Sequence, residues 1–356
     1  MNDRANAGPA ALAPDQDPAA APQGAPGGKG RFGGTLNGSG AVLRRAGVAG
    51  GAVVVAIVVA LLQSGSGLVV WQSVVTGLLM GGLYGLIAMG LTLIFGVLDI
   101  VNFAHGALLA VAMFISFGVI QATGMHPYLT LLVAVPALFL LGGLVHRGLL
   151  SGAGGGSLEN QLLITLGLSL LLENGLLMFF GAEPKSVPLP GDFQFSLFGA
   201  VVSGARLYAF IGALALGGLL FWMLRHTRLG TSIRAVAAND EGARLVGINV
   251  RAIHTLTFAI GTACAGAAAV LAAPLVTVTP TLGEQFNITA FVVVVLGGMG
   301  NVAGALVGGL LIGLVEQLTT IYMNGQSSLL GVFVVFVLVL FLRPEGLFGR
   351  KAGDST

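Results

Sequence analysis

QSVVTGLLMGGLYGLIAMGLTLIFGV, residues 72–97, carries no charged side chain over a length that can cross a bilayer as a helix. A hydrocarbon core of about 30 Å needs roughly 20 apolar residues in helical form. Comparable runs follow at 103–121, 128–145, 161–181, 204–224, 252–273, 301–321 and 329–342. The chain has 356 residues, of which 55% are hydrophobic and 8% charged. A water-soluble domain carries roughly 25% charged residues, so this chain lacks the polar groups to cover itself in water. It reads as an all-α, polytopic membrane protein with about 8–10 transmembrane helices, one or two of them broken.

Composition removes other classes. The net charge of +2 offers no electrostatic basis for binding nucleic acid. A single cysteine, Cys264, excludes an intramolecular disulfide framework and a cysteine metal cluster. The 57 glycines suit helices whose backbones approach closely in lipid. Residues 1–45 are rich in Ala, Pro and Gly and have no apolar block, which predicts a disordered tail. Residues 46–70 form an extra N-terminal unit. Its apolar run Gly47–Leu62 follows Arg44 and Arg45 and reads as an uncleaved span rather than a signal peptide.

Orientation follows from the basic residues. Arg147, Arg225, Arg228, Arg234, Arg244, Arg251, Arg343, Arg350 and Lys351 cluster in one set of loops, whereas the opposite set holds Lys185 and Arg206. The positive-inside rule puts the first set, and both termini, in the cytoplasm if the chain crosses ten times. That count requires residues 287–298 to cross, although they are too short for a straight span and Gly297–Gly300 interrupts them. Glu183–Ser203 becomes the largest external loop, stiffened by prolines and suited to receive an external partner.

The longest polar stretch between spans is IRAVAANDEGARLVGIN, residues 233–249. Ile233, Val236 and Ala237 fall at helical spacing, as do Leu245 and Ile248, while Arg234, Asp240, Glu241 and Arg244 fill the remaining faces. Asn239 and Asp240 are good N-caps, which predicts two short helices meeting near Asn239, and Gly247 is a natural stop. Such a segment either lies on lipid or fits a groove in a partner protein.

The run RAVAANDEGARLVGI, which includes Ala238, resembles the cytoplasmic coupling loop of permease subunits in the branched-chain amino acid ABC transporter family. GLLMGGLYGLIAMGLTLIFGVLDIVNFAHG (77–106), VVLGGMGNVAGALVGGLLIGLVE (294–316) and LRPEGLFGR (342–350) resemble further motifs of that family, in the same order. Together they cover residues 71–350, and the NFAHG form is closer to the LivH-type than to the LivM-type subunit. Ala107 departs from the acidic residue frequent at that place. The resemblance implies a permease domain over 71–350 with its coupling loop at 225–251, in a bacterial inner membrane. It implies partner ATPase subunits that bind the ATP, a second permease subunit (LivM-like or a second copy) and an extracytoplasmic solute-binding protein. The implied cargo is branched-chain amino acids or other small polar solutes such as urea, amides or small carboxylates.

Polar groups at membrane depth are costly and concentrate at cavities, partners or interfaces. Asp99, Asn102 and His105 stand at i, i+3 and i+6, on one stripe if the region is helical. They read either as a gate near the cytoplasmic face or as caps of two helix ends. Asn301, beside the Gly297–Gly300 break, reads as a path residue or as part of a packing stripe formed by Gly300, Gly304 and Gly308. VLDIVNFAHGALL and VLGGMGNVAGALV share a faint likeness that hints at an internal repeat. Glu173 and Asn174 line a path or cap the outer half of their span. Glu316 is expected to reach water and Glu284 to lie in an external turn. His126, His146 and His226 read as solvated, and His254 lacks a second ligand at metal spacing, so no metal site is expected. There is no GxxxxGK[ST] loop and no catalytic constellation, so a transport subunit rather than an enzyme is expected, with ATP hydrolysis in a partner chain. The alternative is an ion-coupled carrier or channel acting alone, with Asp99, Glu173 and Glu316 as coupling groups.

Overall fold

The computed structural model describes residues 66–151, 158–321 and 328–348. The expected tail and the span at 47–62 lie outside them. Eleven α-helices are present among the described residues. Seven helical stretches are long and apolar enough to cross a membrane, one of them the composite run Pro127–Leu150, and Leu282–Gly297 and Ser328–Leu342 are shorter apolar helices.

Helix α1, Gly67–Leu98, is the axis of the bundle. Its 32 residues span about 48 Å, well beyond the hydrocarbon thickness. It begins five residues earlier than the sequence indicates, in what reads as linker. In its most apolar stretch 83% of residues are buried inside the protein. Helices α2 (His105–Thr123), α3 (Leu131–Val145), α4 (Leu158–Phe180), α5 (Gly204–His226), α8 (Val250–Ala272), α9 (Leu282–Gly297), α10 (Val302–Thr320) and α11 (Ser328–Leu342) stand around it. A 3₁₀ turn, Pro127–Thr130, leads into α3, and a π-helical turn, His146–Leu150, continues it. Helix α4 is the outermost of the long helices, with 11% of its apolar stretch buried.

Glycine explains the central position of α1. Gly77, Gly81 and Gly85 lie one turn apart on the face that meets α10. A methyl group at Gly77 would stand 2.7 Å from the Gly313 carbonyl oxygen, and one at Gly81 2.7 Å from Leu310 Cα. Small residues let the two backbones touch, which replaces the hydrophobic force that lipid cannot provide. On another side Gly90 of α1 meets Gly261 of α8. Helix α8 holds α3 in turn, with Thr262 Oγ1 donating to Leu138 O at 3.1 Å. The contacts Gly77–Gly313 and Gly85–Leu306 make α10 antiparallel to α1, so Val302 points toward the C-terminal end of α1.

The two ends of α1 carry different structures. At its N-terminus a two-stranded hairpin, β1 (Gln194–Leu197) and β2 (Ala200–Ser203), is bound by Trp71 Nε1 to Leu197 O at 3.0 Å and by Gln72 Nε2 to Val201 O at 2.9 Å. This ordered hairpin occupies much of the loop expected at Glu183–Ser203. At the C-terminus of α1 lie two short helices, α6 (Arg228–Ala238) and α7 (Asp240–Leu245).

Several expectations need correction. Helix α9 starts at Leu282, so Glu284 belongs to its first turn rather than to an external turn. The helix recruits the polar stretch Leu282–Asn287, which an apolar-run reading leaves out, and so reaches 16 residues. Gly300 has φ 83° and precedes α10, so the packing stripe consists of Gly297, Gly304 and Gly308. Glu316 does not reach water: it is 9% exposed, beside Tyr84 of α1. His146 is buried against His254 and Phe258, with Nδ1 2.9 Å from Thr255 Oγ1.

A side chain at Gly309 would meet the backbone of Gly81 and Gly85, whereas one at Gly118 meets nothing within 4 Å. Gly309→Val is therefore expected to cost about 1–3 kcal/mol through overpacking. Thermal unfolding of the detergent-solubilised protein should show a clearly lower Tm for Gly309→Val and an unchanged one for Gly118→Ala.

Candidate functional site

The polar segment folds as two capped helices. Thr227 caps α6, accepting from Gly230 N at 3.0 Å. Asn239 ends α6 in an extended conformation and caps α7 with its side chain, accepting from Gly242 N at 3.0 Å. Asn249 does the same for α8, accepting from Ala252 N at 3.1 Å. Gly247, with φ 84°, stops α7, and the Ile248 amide returns to Ala243 O at 3.0 Å. A left-handed residue after a helix favours glycine because it lacks Cβ. The expected junction at Asn239 and stop at Gly247 are therefore both present.

Ile233, Val236 and Ala243 are buried against the bundle and anchor the segment. Ala238 and Arg234 are half-buried, and Arg234 Nη2 donates to Thr231 Oγ1 at 3.3 Å. Asp240 and Glu241 occupy the first turn of α7, where the helix dipole favours negative charge. Asp240 lies 4.0 Å from Arg244 and 3.5 Å from His254 of α8, which ties α7 to the start of that span. Leu245 does not share an apolar face with Ile248: it is 88% exposed, and Val246 beside it is 75% exposed. Two bare aliphatic side chains thus form the tip of a charged helical pair.

Residues 99–104 are not helical, so Asp99, Asn102 and His105 do not form a helical stripe. Asp99 ends α1 in the left-handed region, φ 57°, with its N–H bonded to Phe95 O at 3.0 Å. Neither Asp99 nor Asn102 is the N-cap residue of α2; Ala104 holds that place. Asn102 Oδ1 accepts from Ala104 N at 3.1 Å. The segment folds back into the bundle, because His105 Nε2 meets Ile87 O at 3.2 Å, about three turns before α1 ends. That carbonyl accepts only from a protonated Nε2, which leaves Nδ1 as an acceptor. From α9, Asn287 Nδ2 donates to Phe103 O at 3.1 Å, and from α4, Thr165 Oγ1 accepts from Phe103 N at 3.3 Å. Asn102 Nδ2, His105 Nδ1 and Asn287 Oδ1 are buried and make no hydrogen bond among the described residues. The re-entrant segment, the start of α2 and Asn287 of α9 thus bring together one donor and two acceptors without hydrogen bonds among the described residues. Sequence reading missed Asn287 and Thr165, because a lone Asn or Thr in an apolar block carries no spacing signal.

Asn301 is an N-cap, accepting from Gly304 N at 3.0 Å, and its amide donates to Phe348 O at 3.2 Å. The carboxy-terminal segment is therefore pinned on this break, reinforced by Leu347 N to Leu296 O at 2.7 Å. Asn102 and Asn301 each accept from the backbone where the following helix begins, a local likeness between the two breaks. Glu173 and Asn174 are not brought near them. Both stand on the peripheral α4, with Asn174 exposed and its amide donating to Leu170 O at 2.8 Å. No group of three or more His, Cys, Asp or Glu residues is placed to hold a metal among the described residues.

The family described as "Branched-chain amino acid transport system / permease component" matches residues 73–342. The high-affinity branched-chain amino acid transport permease BraD of Pseudomonas aeruginosa is 34% identical over 294 residues, 78% of this chain and 95% of that protein. LivH of Escherichia coli K12, of the same described function, is 29% identical over 298 residues, with the same coverage. The ribose import permease RbsC of Escherichia coli K12 is 28% identical over 266 residues, 72% of this chain and 77% of that protein. No solved structure matches significantly. With the signature motifs on the breaks and on the capped polar pair, and the match running from the second turn of α1 to the end of α11, the chain belongs to the branched-chain amino acid transport permease family.

Proposed function

We propose that this chain is the membrane-spanning subunit of an ATP-driven ABC importer for branched-chain amino acids or closely similar small polar solutes, and that α6–α7 is where the ATPase docks. The observation that carries this reading is the exposed Leu245–Val246 tip on a capped helical pair, at the end of the bundle opposite the hairpin. Arg225, Arg228, Arg234, Arg244 and Arg251 crowd that end, and Lys185 and Arg206 lie toward the other, which supports a cytoplasmic α6–α7 and cytoplasmic termini. ATP would be bound by partner subunits, because this chain has no phosphate loop. An extracytoplasmic binding protein would deliver cargo at the hairpin end. A second permease subunit, LivM-like or another copy, would complete the path in a bacterial inner membrane.

The mechanical route is short. Ile233 and Val236 seat α6 on the bundle, and Asp240 links α7 to His254 on α8. Helix α8 touches α1 at Gly261 and Gly90, and α1 leads directly into the re-entrant segment. A displacement of α7 by the motor would be transmitted through two packed helices to the loop that carries Asn102 and His105. The free polar atoms there are amide and imidazole groups, which suit a zwitterion or neutral solute. Of the three groups of the ion-coupled alternative, Asp99 is a helix end and Glu173 stands on the outer helix, so that reading rests on Glu316 alone, buried beside Tyr84.

Three outcomes test the reading. In a Cys264→Ala background, a cysteine replacing Leu245 should react with an impermeant maleimide in inverted vesicles stripped of peripheral ATPase and not in intact cells. Labelling in intact cells would place the pair on the wrong side and end the proposal. In the reconstituted complex, Leu245→Asp should abolish ATPase copurification or reduce transport by at least about tenfold, as expected when a buried interface anchor worth roughly 2 kcal/mol is lost. Asn239→Ala removes a cap worth about 1 kcal/mol. It should speed amide hydrogen exchange across residues 240–246 and lower transport while leaving assembly intact.

A further inference from the structure

Where α1 ends, and where α4 and α8 begin, a cavity of about 290 Å³ opens between the π-helical turn and α7. Its polar side is made by Arg244 of α7, Arg251 of α8, His146, His254, Ser151 and Gln161. The Arg251 guanidinium is exposed and makes no ion pair among the described residues. Arg244 reaches Asp240 only at 4.0 Å, and that carboxylate also faces His254 at 3.5 Å. One carboxylate is thus shared, and the lining itself holds two arginines and no carboxylate, with Asp99 standing between the lining residues Leu98 and Ile100.

The other side is apolar, with Leu98, Ile100 and Leu150. Beyond it, α3 exposes Leu140 and Leu144, and α4 exposes Leu163, Leu166 and Leu170. Both helices are candidate membrane spans with little of their apolar stretch buried, so these leucines face hydrocarbon or a neighbouring span. A basic pocket with an apolar wall, at the ends of helices that bear exposed leucines, matches an amphiphile with an anionic head.

We propose that this cavity binds an anionic phospholipid, with its phosphate between Arg244 and Arg251 and its acyl chains along the leucines of α3 and α4. A soluble phosphate would use the arginines but leave the aliphatic wall and leucine surface without a role. Because Arg244 belongs to α7, the bound lipid touches the element assigned to coupling and would tune its position. The site itself rests on the membrane reading and not on the cargo or ATPase assignments.

The test uses the full-length chain in its purified complex, in mild detergent, titrated with phosphatidylglycerol or phosphatidylethanolamine and followed by native mass spectrometry. Selective retention of phosphatidylglycerol is expected. Arg251→Gln and Arg244→Gln should each weaken it about fivefold, the effect of one basic side chain near an anionic surface. Arg206→Gln, at the hairpin end, should leave retention unchanged. Arg251→Lys keeps the charge and should recover most of the retention, which separates loss of the site from loss of the fold. Equal retention of both lipids, or retention unaffected by the two Gln variants, overturns the proposal. Displacement of the lipid by inorganic phosphate at equal concentration overturns it in favour of a soluble anion. Lipid retention is read without nucleotide, so its failure is distinct from failure of the coupling proposal, which is read by ATPase copurification and transport.

Discussion

The architecture depends on two backbones touching along a seam of glycine. Helices in lipid gain nothing from hiding apolar surface, so close van der Waals contact and polar bonds must hold them together. Gly77, Gly81 and Gly85 on α1 and Gly309 and Gly313 on α10 remove the side chains that would separate the axes. Once α10 lies against α1, the break at Gly298–Asn301 is directed toward the C-terminal end of α1, as is the segment at 99–104. Both irregular stretches therefore lie toward the α6–α7 end of the bundle. Non-helical backbone at membrane depth is tolerated only where protein surrounds it or a cavity receives it; here Ile100, Asn102, Ala104, Gly298 and Gly300 are buried, while Asp99, Phe103 and Met299 are exposed.

Legibility in the sequence followed the strength of the local signal. The spans at 72–97, 103–121 and 252–273 were readable because hydrocarbon thickness imposes a minimum apolar length. Asn239 and Gly247 were readable because capping is a local matter of one side chain and one or two amides. Asp99–His105 misled because a polar spacing of three suggests a helix, whereas Asp99 turns left-handed and sends the chain back into the bundle. Tertiary bonds from His105 to Ile87 and from Asn287 to Phe103 hold that path, and neither leaves a mark on local pattern. Glu316 was misplaced for a similar reason: a carboxylate near the end of an apolar run ordinarily finds water, but here Tyr84 and the seam bury it.

Charge placement separates the two ends of the bundle as sharply as shape does. The hairpin end is tied by neutral bonds from Trp71 and Gln72 to strand carbonyls. The opposite end is dense in arginine, with few carboxylates nearby. Asp240 stands among them and ties α7 to α8, so one acidic group both fastens the pair and tempers the local field. The aliphatic tip at Leu245 and Val246 is then the least hydrated point of a strongly charged surface, a pattern suited to recognition by a complementary groove.

The glycine seam also imposes an order on biogenesis. Helix α1 leaves the ribosome well before the helix that covers its glycine face, which begins 235 residues later, at Val302 against Gly67. Until α10 arrives, the central helix must sit in the bilayer, or beside the insertion machinery, with its closest-packing face uncovered. Premature pairing with another small-residue helix, such as α8 of a neighbouring nascent chain, competes throughout that interval. Slow or interrupted translation past residue 300 should therefore expose this protein to misassembly far more than an equal delay near its amino terminus.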